Sequence, residues 1–124
     1  MNEFEEATVG GTACKLLEGA IISLFGPGQY VISVSGSKPV QSQMKVFGQA
    51  LSDRRISLRY EAWFSTRSMG SDRVHPQYLL IKDGQKAIYL RVKPGEREGE
   101  WHLFELTEEQ YTLYRCLNLE PPTE

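Results

Sequence analysis

Histidine and cysteine are the side chains that most readily do chemistry near neutral pH, and this chain has two of each: His75, His102, Cys14 and Cys116. No three potential ligands stand at zinc spacing, so no metal and no cofactor are expected. His102 and Glu105 could pair as a base and its orienting acid. Three residues apart in a strand, however, they point to opposite faces. His75 precedes Pro76 in a polar loop. Both cysteines lie in apolar segments without a Cys-x-x-Cys spacing and read as small hydrophobes, with a Cys14–Cys116 disulfide as the minor alternative. Gly10-Gly11 could admit an anion at a helix start, but an entry turn explains it as well. Gly26-Pro27-Gly28 lacks the Gly-Lys-Ser/Thr ending of a phosphate loop and follows a helix instead of a strand. Glu108-Glu109 falls in the first turn of a helix, where the dipole already favours negative charge. An enzyme is therefore the third-ranked reading.

The stronger constellation is basic and aromatic. Arg59, Trp63, Tyr78, Lys82, Tyr89, Arg91 and Lys93 fall on the more polar faces of their segments, and Trp101 is a further candidate whose register the sequence leaves open. Rings that stack on bases and cations that follow phosphates are what single-stranded DNA or RNA requires. The same mixture suits a protein-contact surface. It also suits plain sheet packing, where a cross-strand ring pair such as Tyr78–Tyr89 contributes roughly 0.2–1 kcal/mol. Charge is unevenly spread: residues 53–93 hold nine bases against four acids, and residues 94–124 hold two against eight. The total of -2 argues against a generic polyanion binder. These features predict a small binding module acting through a sheet face, for a protein partner first and single-stranded nucleic acid as the alternative.

The elements that position these residues follow from periodicity. Ala13, Leu16, Leu17, Ala20, Ile21 and Leu24 form a helical stripe, so a helix is expected over 13–25, with Thr12 as its cap. Alternation predicts a strand at 30–35. Val40, Met44, Phe47 and Leu51 recur at helical spacing after Pro39, predicting a helix over 39–52. Period-two segments at 57–64, 77–82, 86–93 and 101–106 predict four more strands. Asp83-Gly84 is a hairpin signal that would set Lys82 opposite Gln85 and Tyr78 opposite Tyr89. It places Leu79, Ile81, Ile88, Leu90 and Val92 on one face. Thr107 and Gln110 form a capping box, with Leu106 and Tyr111 as its hydrophobic staple, before a helix over 107–119.

The order α-β-α-β-β-β-β-α predicts an α+β domain: an antiparallel sheet of about five strands with the helices on one face. A chain of 124 residues makes one domain over 1–124, with 1–11 and 120–124 as flexible ends. The acidic start Met-Asn-Glu-Phe-Glu-Glu does not resemble a signal peptide, and no apolar run is long enough for a membrane span. A cytoplasmic protein without membrane partners is expected. Open sheet edges predict a homodimer. The stretch Gln77–Leu119, with Phe104-Glu105-Leu106-Thr107-Glu108-Glu109-Gln110-Tyr111 at its strand-to-helix junction, resembles that part of the positive-coactivator family of single-stranded DNA binders. The likeness covers about a third of the chain; the first 55 residues have no counterpart in it.

Overall fold

The computed structural model describes residues 3–40, 43–53, 57–65, 76–97 and 100–117. Helix α1 (Glu3–Phe25) leads into six strands: β1 (Tyr30–Val40), β2 (Gln43–Ser52), β3 (Ser57–Ser65), β4 (Pro76–Asp83), β5 (Lys86–Pro94) and β6 (Trp101–Leu106). Helix α2 (Glu108–Leu117) follows. The strands form one antiparallel sheet in chain order, β1 to β6. The fold is α+β, with six strands where about five were expected.

The sixth strand replaces the helix expected over 39–52. Met44, Val46, Gly48 and Ala50 are buried along β2, while Phe47, Gln49 and Leu51 are exposed. The helical spacing of Val40, Met44, Phe47 and Leu51 arose because apolar residues occupy both faces of this strand. Pro39 lies in edge strand β1 opposite Met44; an edge tolerates a residue that cannot donate to the ladder. Strand β1 runs past the predicted 30–35 because a bulge at Ser35, between Val34 and Gly36, lets pairing resume.

Two further expectations are corrected. Residues 3–11 belong to α1, so Thr12 is interior and not a cap. Gly10 and Gly11 each disfavour helix by about 1 kcal/mol relative to alanine, which weakens a helix without terminating it. The hairpin turn is Gly84-Gln85, with Asp83 opposite Lys86 and Tyr78 opposite Arg91. Gly84 supplies a φ of 62° at the first turn position, as tight hairpin turns require. The slip leaves every side chain on its expected face, because each residue on β4 meets a partner two positions further along β5.

The helices lie on opposite faces, not on one. Ala13, Leu16, Leu17, Ala20 and Ile21 of α1 pack on Leu58, Tyr60, Ala62, Phe64, Leu79, Ile81, Leu90 and Val92. Tyr111 and Tyr114 of α2 pack against Trp63, Tyr78 and Leu80 on the reverse side. Cys14 and Cys116 therefore sit on helices separated by the sheet, and both are free. No helix among the described residues is long and apolar enough to cross a membrane.

Candidate functional site

Antiparallel register arranges the α2-bearing face in rows across the sheet. One row reads Lys38, Lys45, Trp63, Tyr78, Arg91, Phe104; the next reads Gly36, Phe47, Glu61, Leu80, Tyr89, Leu106; a third reads Ser33, Gln49, Arg59, Lys82, Ala87. Seven of the eight candidate residues lie on this face, with Lys93 one step beyond Arg91 and opposite His102. Trp101 falls on the other face, packed against the core beneath α1.

Helix α2 divides this face into a covered and an open part. Its start is built as the sequence implies: the Gln110 amide donates to Thr107 Oγ1 at 3.1 Å, and the Thr107 amide donates to Gln110 Oε1 at 3.0 Å. Tyr111 then meets Tyr78 edge-on, with ring centroids 5.9 Å apart, and Tyr89 at 5.0 Å. The Arg115 guanidinium lies 4.1 Å from the Trp63 ring. As a result Tyr78, Trp63 and Arg91, expected on an open surface, are only 2%, 5% and 5% exposed. Arg91 has a structural task. Its Nη1 donates to the carbonyls of Gln77 at 2.9 Å and Val92 at 2.6 Å. Gln77 is the unpaired residue where the β3–β4 register shifts, so the guanidinium braces a bulge. The Tyr89 hydroxyl donates to Glu108 Oε2 at 3.1 Å, tying β5 to the first turn of α2.

The open part is a groove of about 320 Å³ whose lining includes Ser35, Lys45, Phe47, Gln49, Arg59 and Lys82. Glu61 also lines it and is paired with Lys45 at 3.1 Å. Lys45 Nζ sits 5.5 Å from the Phe47 ring centroid and 5.7 Å from that of Trp63. Beyond the groove, on the same face, Val31 and Leu51 are direct cross-strand partners. Val31 is 71% exposed, Leu51 51% and Phe47 37%. Of the candidates, only Arg59 and Lys82 reach this open ground. Lys45, Phe47 and Gln49 escape a reading that makes 39–52 a helix, and Ser35, the last residue of the strand predicted over 30–35, enters the groove only because the chain bulges there. The alternation of Met44, Val46 and Ala50 with Lys45, Phe47 and Gln49 was the signal that would have found the β2 members.

Titration does not favour Cys14 as a nucleophile. Burial raises the Cys14 thiol above its ordinary range, a bond from Tyr60 partly offsetting it. A thiol held protonated is a poor nucleophile. Burial likewise raises the Tyr60 phenol, with Cys14 adding to the effect. Tyr111 is raised by burial and then by Glu61, while Arg115 and Trp63 act the other way. Trp63 Nε1 and the Tyr111 hydroxyl face each other without a well-aligned hydrogen bond. Among the described residues no three His, Cys, Asp or Glu side chains could hold a metal ion.

The likeness of Gln77–Leu119 to single-stranded DNA binders rests on a hairpin, a strand and a capping box. No protein-family model, curated protein or solved structure matches the chain.

Proposed function

We propose that the protein is a non-enzymatic binding module that holds an acidic, partly apolar segment of a protein partner on the open part of its sheet. The observation that carries this reading is the shared, uncovered face of Val31, Phe47, Leu51, Arg59 and Lys82. Apolar side chains at the rim of a cationic groove supply burial and charge complementarity together, and contiguous exposed apolar surface is characteristic of interaction sites. Single-stranded nucleic acid is the weaker alternative. Base stacking needs accessible rings. Of those expected to provide it, Trp63 and Tyr78 are enclosed by α2, Tyr89 is half-buried against Tyr111 and Trp101 lies on the other face, which leaves Phe47 as the ring exposed in the groove. Self-association through an open sheet edge belongs to the same proposal, as a second contact.

A photo-cross-linking side chain at Leu51, introduced into the protein in extract from its native source, tests the reading. The expected result is a discrete protein adduct that disappears when Arg59→Glu is added and persists when the solvent-facing Leu113 of α2 is changed to Ala. Labelled single-stranded DNA and RNA are titrated in parallel at two salt concentrations. An adduct indifferent to Arg59→Glu, or salt-dependent binding of a single strand in its place, overturns the proposal.

A further inference from the structure

We propose that the cross-strand pair Arg59–Lys82 forms an anion site that takes a phosphate monoester dianion. The inference rests on the open face being a contact surface and names the chemistry recognised there. Arg59 and Lys82 are direct partners between β3 and β4. Like charges directly opposite each other on a sheet are destabilising. Among the described residues neither forms an ion pair, and the carboxylate lining the groove, Glu61, is engaged by Lys45 at 3.1 Å. The strain of this arrangement is relieved by an anion lodged between the two cations.

The charge balance of the groove specifies which anion. Lys45, Arg59 and Lys82 against Glu61 leave a net charge of two positives in the lining. A carboxylate or a phosphodiester brings one negative charge. A phosphate monoester brings about -1.5 to -2 at neutral pH, with three acceptor oxygens. The donors suit it: the Arg59 fork can engage two oxygens in parallel, Lys82 supplies a mobile point charge, and Ser35 and Gln49 line the same groove with a hydroxyl and an amide. Phe47 and Leu80 give the organic part of the ester an apolar wall. Ser35 reaches the groove as the extra residue of the β1 bulge, the kind of irregularity that re-aims a side chain at a functional surface.

Thermal unfolding and titration calorimetry on the whole chain test this. The probes are orthophosphate, phenyl phosphate, and a phosphoserine peptide with its unphosphorylated twin, each compared with chloride at matched ionic strength. Orthophosphate and phenyl phosphate are expected to raise Tm above the chloride control, and Arg59→Gln with Lys82→Gln to abolish the rise. A phosphoserine peptide binding at least about tenfold tighter than its twin identifies a modified protein side chain as the source. Equal peptide affinities with a retained phenyl phosphate response identify a small ester. A second readout needs no ligand: Lys82→Gln alone is expected to raise Tm at low salt by removing the repulsion, and the gain to fade at high salt. Phosphate responses equal in the native protein and the double variant overturn the proposal. So does oligothymidylate binding as tightly as the monoester with the same Arg59 dependence. If the Leu51 adduct forms while phosphate does nothing, the dianion site falls and the contact surface stands; a phosphate response without an adduct has the opposite meaning.

Discussion

At the scale of single residues, the same side-chain chemistry was assigned opposite roles by burial. Arg59 and Arg91 both lie on polar-looking positions of their strands. Arg59 faces solvent in the groove, whereas Arg91 is buried beside Tyr78, its Cζ 5.1 Å from the ring centroid. Period two tells which face a residue occupies; it does not tell what covers that face. Gly48 is another residue whose reason is visible only in three dimensions. It pairs with Val34 on one side and Tyr60 on the other. A Cβ there would stand 2.0 Å from the Ser33 carbonyl oxygen and 2.8 Å from the Tyr60 ring. The ring occupies the space a side chain would take, and its hydroxyl donates to that same carbonyl at 3.4 Å. Gly48→Ala is therefore expected to destabilise by about 1–3 kcal/mol, the range for overpacking a closed site. The obstructing atom is main chain, so the upper part of that range applies. The urea midpoint measures it; an unchanged midpoint would mean that β1 can move away from β2 freely.

At the scale of elements, α2 shows how a well-specified local structure can dock lightly. Its capping box and staple are local, and all four residues, Leu106, Thr107, Gln110 and Tyr111, lie within one short segment. Its docking relies chiefly on Tyr111, Tyr114 and Arg115 against Trp63, Tyr78 and Tyr89. Thr107→Ala removes a cap worth about 1 kcal/mol. Because few side chains tie α2 to the sheet, that loss is expected as local opening. Amide hydrogen exchange should quicken about fivefold in α2 while β3 and β4 amides keep their protection. Equal acceleration in α2 and in β3 and β4 would mean that the helix opens only with the whole domain.

The elements legible in the sequence were those whose signal is local and redundant: the β4–β5 hairpin, the capped C-terminal helix, and the stripe from Ala13 to Ile21. Strand β2 was not legible, because Phe47 and Leu51 give it an apolar outer face that mimics a helical period. The two-sided placement of α1 and α2 was not legible either. It depends on which face each connection crosses to, and no residue pattern within either helix encodes that. The open groove was lost with β2, since half of its lining belongs to that strand and to the bulge facing it.

At the scale of the molecule, a single sheet in chain order leaves two edges, β1 and β6. Strand β6 has six residues, and a short edge strand is a poor template. Strand β1 has eleven residues, but its second half is blunted by the bulge at Ser35, by Lys38 and by Pro39. That leaves Tyr30–Val34 as the segment on which a second copy could add antiparallel pairing, with exposed Val31 and Val34 on its two faces. A homodimer formed there would extend the sheet across two copies and set the two basic grooves along one composite face. Val31→Lys places a charge on this edge without touching the core beneath α1, since Val31 faces away from Ile32 and Tyr30. The native chain is expected to sediment with concentration-dependent mass in the micromolar range, and the Val31→Lys chain as a monomer with unchanged far-UV circular dichroism. If both sediment as monomers at every concentration, the β1 edge is protected by means other than pairing. If both dimerise equally, the contact is elsewhere, and the next surface to probe is the exposed Phe104 on β6, at the opposite edge of the same face.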